Sequence, residues 1–357
     1  MNTRKESTTR IFVSICLILF LLVGTVSQVV GITLVSSSTT NTSNDQDTPS
    51  QPSLQEMITH AAPGSTLVIN AGIYPEIIDI NKPLTLIGDT KETTIIAPTS
   101  SLNSYAVRIT AEGVHLRDLT IINHGPGLYT TGVKVCAEHT TIERCIVKET
   151  PVGIALWSSF NTISTSEFYS CEDEGIVVLG SASAPCSDIT ISDCLFSGNC
   201  DGIELQESRD IQISDCTFIK NTHAGVDAIG SSNQRTSVIS CTFQDNTVFG
   251  IYLAGGSNAQ IHSCTFISSP LMVPENSGTI LTDCHYDTGS SPERLVTSYS
   301  APILSSEQPT KTRKDSSYSD QPGNGIRSST IIQMFFEKIM LRLSGLKNLF
   351  ILRLTIV

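Results

Sequence analysis

The sequence is short of basic residues, with 22 Lys and Arg against 34 Asp and Glu. The deficit is uneven: residues 53–310 carry a net charge of −17, whereas residues 311–357 carry eight basic and three acidic side chains. So acidic a body repels phosphates and argues against nucleic acid as a partner. Divalent cations and neutral or cationic polymers suit it better. Among eleven cysteines there is no C-x-x-C pair, which removes the close thiolate spacing of most tetrahedral metal sites. No G-x-S-x-G, Walker loop or dinucleotide fingerprint occurs, and the seven histidines are scattered, so hydrolase-elbow, P-loop and Rossmann chemistry lack their signatures. The central region also lacks any apolar period of helical length.

What the sequence has instead is a repeat. "SDITISDCLF" at 187–196 returns as "RDIQISDCTF" at 209–218. A cysteine-type beat falls at Leu119, Cys145, Ser166, Cys194, Cys216, Cys241, Cys264 and Cys284, spaced 20 to 28 residues apart. Two positions later comes a large core-type residue, Phe168, Phe196, Phe218, Phe243 and Phe266 among them. A glycine beat follows at 132, 153, 175, 202, 225 and 250, each glycine preceding Val or Ile. Short alternating β-branched runs separated by Gly, Asn, Ser and Asp read as strands and turns, and a period in this range marks a solenoid. The expected fold is all-β: a right-handed parallel β-helix of about 8–9 coils, each coil about 4.8 Å above the last. Alternation places Ile189, Ile191 and Phe196 inside and Thr190 and Ser192 outside.

"SLQEMITHAA" reads as a cap on the first coil: Ser53 and Glu56 form a capping box, and Leu54, Met57, Ile58 and Ala61 share one helical face. The stretch "GSTLVINAGIYPEIIDINKPLTLIGDTKETTIIAP" then opens the stack. These residues, 64–97, with the repeat over 114–286, resemble the pectin-lyase-like proteins, and most of all the NosD-like β-helix proteins of prokaryotic periplasms and cell surfaces. The resemblance implies the fold; the superfold hosts lyases, hydrolases, esterases, epimerases, adhesins and inert scaffolds alike. The N-T-D, D-D, G-H-G and R-I-K motifs of the polygalacturonase-like hydrolases are absent, as is the D-P-H-E motif of alginate epimerases.

Five segments are expected. Residues 1–35 hold Arg4, Lys5 and Arg10, then an uncharged run that extends from 11 to 44. This reads as an export signal, cleaved or retained as a membrane anchor. Residues 36–52 form a Ser/Thr-rich linker, 53–290 the β-helix, 291–329 a polar linker, and 330–357 an amphipathic helix. In that helix Phe336, Ile339, Leu343, Leu346, Phe350 and Leu354 share a stripe, with Lys338, Arg342 and Lys347 off it. It suits an anionic membrane surface or docking on a partner or on the β-helix. The expected location is the extracytoplasmic cell surface.

The cysteine ladder is expected to be packing, since a free thiol behaves as a small buried hydrophobe at a tight corner. In-register stacking disfavours bridges. Cys171 with Cys200 is the one pair placed for a disulfide.

The strand after each glycine has an outward row of Lys134, Ala155, Val177, Glu204, Asp227 and Tyr252, and a second row that includes Trp157 and Gln206. Glu204 and Asp227 are candidate catalytic carboxylates for a glycoside. Glu174, Asp201, Glu204 and Asp227 are a candidate Ca²⁺ set, although no cofactor is required. Trp157 and Tyr252 are candidate carbohydrate-binding aromatics. The plainer reading of the carboxylates is a solvated acidic face. Three functions stand: a non-catalytic surface β-helix binding carbohydrate or another envelope component, or acting as a scaffold; a polysaccharide hydrolase or lyase on the Glu204/Asp227 face; and an accessory protein for metal delivery, which only the resemblance to NosD-like proteins implies.

Overall fold

A computed structural model describes residues 53–229, 233–253, 258–273 and 277–287. The leader, both linkers and the C-terminal segment lie outside the described residues.

The chain winds into a parallel β-solenoid. Three sheets of 10, 10 and 9 strands run the length of the stack, and every ladder is parallel and links each strand to the next coil. Sheet A begins with Ser65–Ile69, sheet B with Gly72–Tyr74 and sheet C with Ile78–Ile80. One representative coil contains Cys186–Ser192 in sheet A, Leu195–Ser197 in B and Asp201–Gln206 in C. The register superimposes like on like: Ile189 lies on Ile211, Ile191 on Ile213 and Phe196 on Phe218. No single coil can bury its own apolar face, so stability comes from the contacts between coils.

Helix α1, Leu54–His60, closes the first coil with the expected capping box, and buries Leu54 and Ile58. It is pinned from below by the Glu76 carboxylate, which accepts the N–H groups of Leu54 and Gln55 at 2.8 and 3.0 Å.

Inside the stack the phenylalanines form one column. Phe168, Phe196, Phe218, Phe243 and Phe266 are fully buried, with successive ring centroids 4.7–4.9 Å apart and nearly parallel planes. The glycine beat exists for this column. A Cβ on Gly202 would lie 2.6 Å from Phe218 Cδ1 and 2.5 Å from the carbonyl oxygen of Gly225, so no side chain fits.

The cysteine beat marks the corner between sheets A and B. The residue before it is left-handed, with φ between 50° and 56° at Asp118, Arg144, Thr165, Asp193, Asp215, Ser240, Ser263 and Asp283. That conformation turns the chain, and the next side chain falls in the crowded inside of the bend. Cys194 and Cys216 there donate to the carbonyls of Ser192 and Ser214, both at 3.1 Å. All ten described cysteines are unbridged. Cys145, Cys194, Cys216, Cys241 and Cys264 are buried as expected. Cys284 is half-buried because no further coil covers it among the described residues. Cys171 and Cys200, on adjacent coils, form no disulfide, and the Cys200 N–H donates to the Cys171 carbonyl at 3.2 Å.

A second polar ladder, not foreseen from the sequence, occupies the corner between sheets B and C. Asn199, Asn221, Asn246 and Ser269 are buried one above another. Each asparagine Nδ2 donates to the carbonyl of a phenylalanine one coil below: Asn199 to Phe168, Asn221 to Phe196, and Asn246 to Phe218.

Candidate functional site

The outer side of sheet C carries the predicted row. Pairing runs Asp79–Arg108–Lys134–Ala155–Val177–Glu204–Asp227–Tyr252, one residue per coil. The row is graded: two cations near the helix-capped end, small apolar residues in the middle, and two carboxylates followed by an aromatic at the far end.

At the basic end, Arg108 Nε donates to Asp79 Oδ1 at 2.6 Å, which holds the guanidinium protonated above its ordinary value. Its carbon lies 5.0 Å from the ring centroid of Tyr105. One coil on, Lys134 Nζ stands 5.4 Å from the ring centroid of Trp157, a cation–π distance. Trp157 and Leu179 pack against Val152, Ala155 and Val177, an apolar patch separate from the main core. Beside the tryptophan is a cavity of about 390 Å³, lined by Glu112, Cys136, Glu138, Trp157, Ser158 and Ser159 among others. Its lining combines one aromatic ring with hydroxyls and carboxylates.

The acidic end departs from a solvated face. Asp201 and Glu204 have no exposed surface, and Glu174 and Asp227 are 3% and 5% exposed. Neighbouring side chains close over them: the Gln206 amide donates to Glu204 Oε1, and the imidazole of His223 lies against both aspartates. His223 Nδ1 is 2.7 Å from Asp201 Oδ1 and 3.7 Å from Asp227 Oδ2. Asp201 Oδ1 also accepts the Ala224 N–H at 2.9 Å. With a carboxylate as its partner, Nδ1 is the donor in this contact. The His223 ring meets Phe249 and Tyr252 edge-on, at centroid distances of 6.2 and 6.4 Å.

The predicted residues are therefore sorted into two places. Glu204 and Asp227 pair in register, as do Glu174 and Asp201. The donors that converge among the described residues are Asp201, His223 and Asp227, with ligand atoms all within 4.8 Å of one another. This is not the four-carboxylate set expected for Ca²⁺. Glu174 sits two coils, about 10 Å, from Asp227, and Glu204 is engaged by Gln206. Trp157 and Tyr252 lie four coils, about 19 Å, apart, and do not share one subsite. His223 is the residue that sequence reasoning left outside the site. Its only signal was its place two residues before a glycine of the repeat, near Asp201.

Residues 89–235 match the family described as right-handed beta helix region. No curated protein sequence matches the chain. Among solved structures, the pectate lyase Pel9A is similar with a TM-score of 0.52 at 12% sequence identity, over 66% of this chain and 74% of that one. A mannuronic acid-specific polysaccharide family 6 lyase from human gut microbiota gives 0.52 at 14% identity, over 64% and 61%. The family 6 alginate lyase AlyGC gives 0.51 at 13% identity, over 65% of this chain but 36% of its own. Likeness at such identities lies in the fold alone. Three parallel sheets wound coil on coil, together with these neighbours, give this chain the parallel β-helix fold, and its residues 89–235 carry the right-handed beta helix pattern.

Proposed function

We propose that this chain is an exported, carbohydrate-binding β-helix protein of the cell envelope, and that the outer face of sheet C is its binding face. The observation that carries this reading is the Lys134–Trp157 pair beside the cavity of about 390 Å³. The tryptophan ring offers an apolar platform to the C–H face of a pyranose. Glu112, Glu138, Ser158 and Ser159 supply the hydrogen-bonding groups that sugar hydroxyls require, and Lys134 adds a cation for an acidic sugar. The solved structures of similar fold are named as lyases of pectate, mannuronate and alginate, which is consistent with a polysaccharide partner. Export is supported by the uncharged run from 11 to 44 behind three basic residues.

The test is calorimetric titration of the full chain with pectate, alginate and neutral oligosaccharides. Binding to at least one, weakened 10-fold or more by Trp157→Ala, is expected of an aromatic anchor. No binding to any of them, or binding indifferent to Trp157→Ala, refutes the reading.

The Asp201–His223 hydrogen bond favours a second reading, a polysaccharide hydrolase or lyase. Asp201 would orient the imidazole, and Nε2 would accept a proton from the substrate. Release of reducing ends or unsaturated products by the wild type, lost in His223→Ala, would distinguish this from binding alone.

A further inference from the structure

We propose that Asp201, His223 and Asp227 form a binding site for a divalent transition-metal ion of the Zn²⁺ type, a site that stands independently of the sugar-binding reading. The donor set selects the metal. Ca²⁺ collects six to eight oxygens, whereas one imidazole nitrogen with two carboxylate oxygens suits Zn²⁺ and its first-row neighbours and leaves positions open for water or a ligand.

The geometry is close to what such an ion needs. Donors bonded tetrahedrally to Zn²⁺ at about 2.0–2.2 Å stand roughly 3.3–3.6 Å from one another. The observed separations, 2.7 Å from Nδ1 to Asp201 Oδ1 and 3.7 Å from Nδ1 to Asp227 Oδ2, bracket that range. A metal ion would take the place of the proton at Nδ1, which moves to Nε2.

The backbone holds the three donors before any ion arrives. Asp201 and Asp227 lie in neighbouring sheet C strands, Asp201–Gln206 and Ala224–Ile229, and His223 immediately precedes the second. The His223 N–H donates to Cys200 O at 2.9 Å, and its carbonyl accepts the Phe249 N–H at 3.0 Å, so it is tied to the coils on both sides. The Ala224 N–H on Asp201 Oδ1 is the kind of outer contact that orients a metal ligand. A dication also relieves the repulsion between Glu204 and Asp227, which pair in register on those strands.

The experiment uses the full chain after chelator treatment. Wild type, His223→Gln and Asp227→Asn are titrated with Zn²⁺ alone and with Ca²⁺ alone, by calorimetry and by thermal melting, and Co²⁺ is added as a spectroscopic probe. One equivalent of Zn²⁺ should bind and raise the wild-type melting temperature, and Ca²⁺ at the same concentration should do neither. Either substitution should weaken Zn²⁺ at least about 10-fold, while the metal-free melting temperature reports that the variant is folded. If one variant does not fold, the other decides. Unchanged Zn²⁺ affinity in a folded variant overturns the site, as does a Ca²⁺ response equal to that of Zn²⁺. A thiolate-to-cobalt charge-transfer band would also overturn it by placing the metal on cysteine.

Discussion

The asparagine ladder sets a stability cost that can be worked bond by bond. Asn221 Oδ1 accepts the Asn199 N–H and Asn199 Nδ2, both at 3.1 Å, and its own Nδ2 donates to Phe196 O at 3.3 Å and Asn246 Oδ1 at 2.8 Å. Asn221→Ala leaves the Asn199 backbone N–H and one of its two Nδ2 hydrogens without an acceptor, while the other Nδ2 hydrogen stays on Phe168 O and Asn246 Oδ1 keeps the backbone N–H of residue 221. Each stranded donor costs about 1–3 kcal/mol, so the loss should be about 4 kcal/mol. The ladder contains its own control. At its far end Ser269 Oγ accepts the Asn246 N–H at 3.0 Å and Nδ2 at 3.2 Å, so a serine oxygen can do the accepting half of the work. Asn221→Ser should therefore lose roughly half as much, about 2 kcal/mol. Urea unfolding followed by circular dichroism measures both, through the midpoint shift at constant slope. Equal destabilisation by Ala and Ser, or a loss below about 1 kcal/mol for Ala, would refute the account of the ladder as a chain of buried donors and acceptors.

The buried thiols predict alkaline instability. Burial pushes the Cys145 thiol up to about 12, and the neighbouring Cys216 pushes Cys241 up to about 12. An unfolded thiol ionises near 8.5, so above that pH the unfolded state binds fewer protons. Stability should then fall by roughly 1.4 kcal/mol per thiol per pH unit up to the folded value, a loss that urea midpoints between pH 8 and 11 should show and Cys145→Ala should reduce. Two glycines of one coil should respond differently. Gly202→Ala drives a Cβ into Phe218 and the Gly225 carbonyl and should cost about 3 kcal/mol or more; Gly198→Ala meets no atom at φ +69 and should cost only about 1–2 kcal/mol of left-handed strain, as melting temperatures will show. Asp118 is held below the ordinary carboxylate range by the Arg144 guanidinium at 2.7 and 2.8 Å. Its contribution is present above about pH 4 and is lost on acidification. Because Arg144 is 40% exposed, Asp118→Asn should cost less than about 1 kcal/mol and less still in high salt.

The outward row from Lys134 to Tyr252 is readable in the sequence because each glycine sets the phase of its strand and alternation carries that phase along. The Phe and Cys columns are readable because a column repeats one residue type at one beat. The asparagine ladder is not, although Asn199, Asn221 and Asn246 each follow a ladder phenylalanine by three residues. Asparagine beside a turn has an ordinary local explanation, and nothing in the pattern says that this one points inward. Burial of the carboxylates was illegible for a related reason. Alternation tells which side of a sheet a residue takes, and it does not tell whether Gln206 or His223 will close over that side.

The candidate site lies where the repeat is broken. Along the outward row Ala155 and Val177 suit stacking and little else, and the next two coils put Glu204 and Asp227 in the same place. In-register carboxylates on successive strands repel, so packing alone does not select them. The position one before the glycine behaves likewise: Glu174 and Asp201 occupy it in successive coils and Ala224 in the next. A repeat reports what stacking requires, and residues that stacking disfavours report something else. His223 belongs with them because its side chain is directed by the turn before the strand Ala224–Ile229, at a place two residues before the glycine that the preceding coils fill with Asp173 and Cys200. Nδ1 comes within hydrogen-bond distance of Asp201 only because the N–H of Ala224 fixes that carboxylate and the carbonyl of Cys200 fixes the backbone of His223. Three residues of ordinary type, none in a recognisable motif, thus acquire a chemical relation from the pitch of the coil.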